Sequence, residues 1–287
     1  ARRKNVESHQ DQTRGTRVAN VEGLAEATND QNADEIAHKV KRNIYGIQLK
    51  TELGWQFVGS LLFVVGKIAI TNRHIYKQIK GHEIRLFNKS SQRGTVVTAK
   101  QTEEMQVARI DEGIHGKKDV VMLEMPRHCL VHADIRPYVM KKEDFCRHRQ
   151  LAEVCVLGYG SDLELRFRQS DKCEAMDNVF FLREVDSEVT EVRDWFRYGV
   201  NSRPGDCGSV AIAYDPSASR KIIGIHMSGY NDGSYRGVAV AIHQELLQIL
   251  RNGLELKNAE SDLNGEFAFE GERGDHLFGD FVNYGTA

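Results

Sequence analysis

The sequence predicts an all-β protein made of two strand-rich lobes, with short helices only near its ends. Short runs rich in Val, Ile, Phe and Thr recur at strand length, broken by Gly, Asn and Lys. They fall into two groups on either side of a segment with another pattern. Helical patterns do not alternate with them, as α/β units would require, so two β-barrels joined by a connector are expected.

Residues 1–32 are polar, with few large apolar groups, and are expected to form a flexible N-terminal arm. "NADEIAHKVKRN" reads as a short helix, because Asp34 and Glu35 stand early and Lys39, Lys41 and Arg42 late, as the helix dipole favours. With it, residues 33–125 make the first lobe, whose strands are "NIYGIQLK", "WQFVGSLLFVV", "KIAITN", "EIRLFN", "GTVVTAK", "MQVARID" and "DVVMLEM". Residues 126–148 connect the lobes. Residues 149–252 make the second, with "EVCVLGYG", "LELRFRQ", "NVFFLREV", "VTEVRDWFRYG", "GSVAIAYD", "KIIGIHMSG" and "RGVAVAI" as strands. "HQELLQILRNG" is expected to be a closing helix ended by Gly253, and residues 253–287 a Gly- and acid-rich tail.

Composition narrows the function classes. With 39 basic and 41 acidic side chains the net charge is -2, which gives no bulk electrostatic case for a nucleic-acid binder. The longest apolar stretch, "SLLFVVGKIAI", is interrupted by Lys67 and is too short to span a bilayer. "ARRKNVESHQ" lacks the apolar core of a secretory leader. Five irregularly spaced cysteines fit free thiols in a reducing compartment, hence the cytosol, better than a disulfide framework.

The chemistry is read from "RPGDCGS". A cysteine nucleophile needs a base for its proton and a group that orients the base. His74, in "AITNRHIY", follows an apolar strand at the start of a turn, and Asp119, in "KKDVVMLEMP", opens a buried-looking strand. Glu83, Glu103, Glu104 and Asp111 are rivals for the acid. Cys207 lies in a turn where Gly205 and Gly208 permit close approach of a carbonyl, and the backbone over Gly205, Asp206 and Cys207 offers an oxyanion hole. "IIGIHMSG" ends a strand at His226, and the small residues Ser228 and Gly229 leave room for an extended peptide. His128, Cys129, His132, Cys146 and His148 match no structural zinc spacing, so no metal is expected.

Taken in the order His74, Asp119, Cys207, with "PGDCG" followed by "GIHMSG", these residues resemble the 3C-type cysteine proteases of picornaviruses and picorna-like viruses over about residues 44–250. The resemblance implies two chymotrypsin-like, six-stranded β-barrels with the active site in the cleft between them. It implies an endopeptidase that needs no cofactor and cuts a viral polyprotein, with host proteins as further candidate substrates, after Gln or Glu and before a small residue, in the cytoplasm of an infected cell. On the family's pattern His226 lines the P1 pocket, Tyr198 orients it, and Ser202 falls where several members have a threonine that contacts the P1 side chain. "VHADIRPYV" resembles the family's RNA-binding stretch. Asp134 and Arg136 remain there, but Val131, His132 and Ala133 replace the preceding basic pattern, so viral RNA is the weaker partner expectation. An RNA-binding module on a protease fold is the alternative function. A secreted trypsin-like relative is disfavoured by Cys207. Glu270-Gly271 in the tail resembles a junction that such an enzyme cuts.

Overall fold

The computed structural model describes residues 33–89, 91–110, 118–183 and 189–267. The arm, Asp111 and the Glu270-Gly271 pair lie outside these. Helix α1 covers residues 33–40. The first sheet is antiparallel and seven-stranded: β1 (Ile44–Thr51), β2 (Gly54–Val65), β3 (Ile68–Thr71), β4 (Ile84–Asn88), β5 (Ser91–Val97), β6 (Val107–Arg109) and β7 (Val121–Glu124), in the order β5-β4-β1-β2-β3-β7-β6. Helices α2 (Arg73–Ile79) and α3 (Ala99–Glu103) are inserted between its strands.

After the connector, with its 3-10 turn Arg136–Tyr138 and helix α4 (Lys142–Arg147), comes the second lobe. Its strands are β8 (Gln150–Leu151), β9 (Val154–Tyr159), β10 (Leu165–Ser170), β11 (Cys173–Met176), β12 (Phe180–Arg183), β13 (Val189–Val192), β14 (Trp195–Tyr198), β15 (Val210–Ala213), β16 (Ile222–Asp232) and β17 (Tyr235–Ala241). Eight of them form an antiparallel sheet, β10-β9-β15-β16-β17-β14-β11-β8, and β12-β13 pair as a separate hairpin. The sheets thus hold seven and eight strands where six each were expected. Short pieces such as β8 and β11, too brief to leave a pattern in the sequence, join the second at its rim.

Strand alternation explains the unbroken apolar runs. Ile44, Leu62, Val64, Ile70 and Met122 join Cys155, Leu157, Val210 and Ile225 in one cluster that spans both lobes. Their strand neighbours Tyr45, Leu61, Phe63, Ala69 and Leu123 fill the interior of the first lobe, while Val154, Val156, Ala211 and Ala239 fill the second. Successive side chains of a strand point to opposite faces, so these strands bury both faces and read as continuous hydrophobic stretches. Helix α5 runs Gln244–Phe267, well beyond the stop expected at Gly253. Leu246, Leu250 and Leu254 recur on one buried face. A Cβ at position 253 would lie 3.3 Å from the Ala108 Cβ, so this glycine serves a close approach to β6 within the helix.

Candidate active site

Three segments meet where the lobes face each other. His74 is the second residue of α2, so the turn expected there is the first turn of a helix. The preceding Asn72 does not cap that helix with its side chain. Instead its Nδ2 donates to the Asp119 carbonyl at 3.2 Å and to Oδ2 at 3.1 Å. Asp119 stands just before β7 and is fully buried. Its Oδ1 accepts the His74 backbone N–H at 3.1 Å, and its Oδ2 lies 2.8 Å from His74 Nδ1. An ionised carboxylate only accepts, so the imidazole donates from Nδ1, which leaves Nε2 on the side of the ring away from Asp119.

Burial alone pushes the His74 pKa down, but the Asp119 charge and hydrogen bond, and then the Cys207 thiol, outweigh it and hold the imidazole well above its usual value. The rival acids are engaged elsewhere: Glu83 pairs with Lys50 at 2.8 Å, Glu103 with Lys80 at 3.3 Å and Glu104 with Lys100 at 3.7 Å.

Cys207 is held from both lobes. Its Sγ donates to the Met227 carbonyl at 3.3 Å, and its own carbonyl accepts the Ser60 N–H at 2.9 Å. Gly205 and Gly208 adopt φ of 91° and 83°, a left-handed backbone that glycine enters without strain. The Asp206 N–H donates to the Arg203 carbonyl at 3.0 Å, which takes it away from the expected oxyanion hole. The tight turn requires that bond, and the Asp206 carboxylate folds under the loop to accept the Arg203 N–H and Arg168 Nη1, both at 2.6 Å. Among the described residues no acceptor takes the N–H of Gly205 or of Cys207.

His226 does not end its strand, because β16 continues to Asp232 through a register shift against β17 between His226 and Ser228. The imidazole is buried, with Nδ1 2.5 Å from the Tyr198 hydroxyl and Nε2 2.8 Å from Ser202 Oγ. Burial lowers its pKa to about 4, so it is neutral at pH 7, and Tyr198, whose own pKa burial raises well above 10, keeps the proton it can donate. Ser202, Ser228 and Gly229 line a cleft of about 620 Å³ with His74, Cys207 and Met227, so His226 sits behind Ser202. β12 adds Leu182 and Arg183 to this lining.

Asp134 and Arg136 lie away from the cleft, paired through Arg136 Nη2 and Asp134 Oδ2 at 2.7 Å, in a cavity of about 410 Å³ that Arg220 and Arg251 also line. The Cys/His patch of the connector is dispersed: His132 stacks on Phe63 at 3.7 Å, His128 Nε2 meets the Val96 carbonyl and Cys129 is buried. Sequence reasoning missed Asn72, Arg168 and the Met227 carbonyl. Of these only Asn72 left a trace, as a polar residue at the end of an apolar strand beside His74.

The architecture is a chymotrypsin-like fold. The fold resembles the tobacco etch virus protease complexed with product (TM-score 0.50, 14% identity, 75% of this chain and 79% of that one). It also resembles the HRV-C 3C protein with rupintrivir (0.50, 14%, 73% and 97%) and the HtrA-type protease AlgW with tripeptide (0.53, 13%, 78% and 64%). In sequence the chain is related to the replicase polyproteins of picorna-like viruses. It is 27% identical over 237 residues to that of acute bee paralysis virus, 24% over 193 residues to that of cricket paralysis virus, and 37% over 78 residues to that of Drosophila C virus. These alignments cover 78%, 60% and 27% of the chain but only 12%, 10% and 4% of the polyproteins. No family model matches the chain.

Proposed function

We propose that this chain is the cysteine endopeptidase of a picorna-like virus, cutting a polyprotein after Gln or Glu, and before a small residue, in the cytoplasm of the infected cell. The observation that carries the reading is His74, gripped through both its backbone and its ring by Asp119 and lining one open cleft together with Cys207.

His74 takes, or already holds, the Sγ proton as Cys207 sulfur bonds to the P1 carbonyl carbon. The carbonyl oxygen, now negative, is met by the Gly205 and Cys207 N–H groups, each such donor being worth about 2.7–4 kcal/mol in comparable sites. The C–N bond breaks as His74 returns the proton to the leaving amine, leaving a thioester. Water then gives a proton to His74 and its oxygen to the carbonyl carbon, and the C–S bond breaks to restore the thiol. No cofactor takes part in this sequence.

The P1 preference follows from a neutral His226. With Tyr198 O–H donating to Nδ1, the imidazole presents Nε2–H, and a glutamine carbonyl that displaces Ser202 Oγ can accept it. A side chain without an acceptor leaves that buried donor unpaired, at about 1–3 kcal/mol. Beyond Met227 neither β15 nor the loop of Cys207 follows β16, and this edge suits an added substrate strand beside Ser228 and Gly229. Cleavage of a peptide library by the wild type but not by Cys207→Ala tests the whole reading, and failure of both to cleave rejects it.

A second reading, RNA binding, is favoured by Arg136, Arg220 and Arg251 around the cavity remote from the cleft. Loss of RNA retention on Arg220→Ala together with Arg251→Ala, steeply dependent on salt, is its test.

A further inference from the structure

A β-bulge turns one side chain of β2 towards the loop of Cys207. In the β1–β2 pairing Ile47 faces Gly59 and Gln48 faces Phe57, so Val58 is an extra residue without a cross-strand partner. Unbroken alternation would put Phe57 on the side of Leu61 and Phe63, inside the first lobe. The bulge reverses the phase. Val58 packs in that interior instead, and Phe57 joins Leu62 and Val64 at the cluster shared by both lobes.

There the Phe57 ring rests on Gly205. A Cβ at position 205 would lie 2.8 Å from two carbons of that ring. Phe87 backs the ring with centroids 6.2 Å apart, and Phe87 in turn meets Tyr159 of β9 edge-on at 4.9 Å. Further along β2, the Ser60 N–H donates to the Cys207 carbonyl at 2.9 Å. One strand of the first lobe therefore braces both Gly205 and Cys207, and neither brace uses their N–H groups.

The turn has two forms to choose between. The Asp206 N–H donates to the Arg203 carbonyl at 3.0 Å, Pro204 fixes a negative φ, and Gly205 has φ of 91°, which together define a type II turn. A type I turn keeps the same ends and the same hydrogen bond, with a negative φ at its third residue. The two differ by rotation of the Pro204–Gly205 peptide, which carries the Gly205 N–H to the opposite face. Only one form can aim that N–H at an oxygen above Cys207.

Resting on the endopeptidase reading above, we infer that Phe57 is a positioning residue that holds this turn in its type II form and so keeps the oxyanion hole preformed. Without the ring the Gly205 peptide turns over for part of the time, and the carbonyl oxygen then loses one of its two donors.

A peptide cut after Gln, and an aldehyde of the same sequence ending at P1, test this with wild type, Phe57→Ala and Phe57→Leu. The aldehyde has no residue beyond P1. Cys207 sulfur bonds to its carbon, the C=O π electrons become an oxygen lone pair and the thiol proton stays on His74, so the adduct needs the same donors as the transition state. Phe57→Ala is expected to lower kcat about tenfold with little change in KM, and to weaken aldehyde inhibition by the same factor. Binding of the uncut peptide in a Cys207→Ala background should not change when Phe57→Ala is added. Phe57→Leu, which keeps most of the volume, should lose about threefold in kcat and in aldehyde inhibition alike. An unchanged kcat in Phe57→Ala overturns the proposal. So does undiminished aldehyde inhibition beside a lowered kcat, since the ring then acts on the residue after the scissile bond. An equal loss of peptide binding also overturns it, because the whole cleft is then distorted. If Phe57→Ala does not fold, Phe57→Leu decides by the same readouts. If wild type cleaves no peptide, the endopeptidase reading fails on its own, and the Gly205 amide signal in NMR tests Phe57 separately. A second or broadened signal in the Phe57 variant supports the brace, and a single sharp one, as in wild type, overturns it.

Discussion

The Ser60 N–H donates to the Cys207 carbonyl at 2.9 Å, so the peptide unit of Cys207 is itself a contact between the two lobes. The Ser60 carbonyl in turn accepts the Thr71 hydroxyl at 2.8 Å. The loop of Cys207 is thus bonded to β2, which Thr71 ties in turn to β3, the strand that leads to His74.

Gly208 tests how tight that contact is. A Cβ there would lie 1.9 Å from the Ser60 oxygen, and the residue already sits at φ 83°. Gly208→Ala should destabilise the protein by about 3 kcal/mol or more and abolish cleavage. Urea unfolding together with peptide turnover checks this, and an Ala variant of near wild-type stability would contradict the geometry.

Cys207→Ala should remove cleavage with an unchanged fold, since it deletes the nucleophile and little volume. Cys207→Ser should keep at most residual activity, because a hydroxyl is far less acidic than the thiol. Undiminished turnover by the alanine variant, measured on the same peptide, would falsify the assignment.

Asp119→Asn should lower kcat more than it raises KM, and by less than His74→Ala does. Because Asp119 is what lifts the His74 pKa against burial, the variant's imidazole should titrate at a lower pH, as NMR would read. His74 with an unmoved midpoint, or a silent Asp119 beside a damaging Glu103→Ala, would identify another acid.

His226→Ala should flatten the preference for Gln over Leu at P1, and a wild-type library favouring basic P1 residues would contradict the pocket. The same residue gives a stability signature. Its folded pKa of about 4 lies below its usual 6.5, so the unfolded chain binds the extra proton between those values. Stability from this group is therefore full above about pH 6.5 and lost as pH falls towards 4, by about 3 kcal/mol in all. Half-buried His132 and buried His243, also lowered, add slopes of the same sign. Urea midpoints between pH 7 and 4 should fall less steeply for His226→Gln than for wild type, and parallel curves would count against a neutral, buried His226.

The Glu270-Gly271 pair lies beyond the described residues, and its case is made by sequence alone. Incubating the active protein beside Cys207→Ala should yield a species ending at Glu270 only in the active sample. Equal intact masses in both after long incubation would leave that junction uncut.

The strands and the glycine-flanked turn at Cys207 were legible because their signals are local. Unbroken apolar runs mark strands buried on both faces, and "PGDCG" demands glycine backbone at fixed places around the cysteine. Gly253 misled because glycine's usual meaning near a helix end is a stop, whereas here it makes room for Ala108 on another strand. The remaining decisions were long-range. The choice of Asp119 over Glu83, Glu103 and Glu104 depends on which carboxylate the sheet carries to α2. The Asn72 bond to Asp119 and the Arg168 bond to Asp206 join residues that share no sequence pattern. Local sequence determines which residues prefer a strand, a turn or a reactive loop. Only the packing of one sheet against the other decides which charges are buried together, because a buried charge takes whatever partner the fold brings within hydrogen-bond reach.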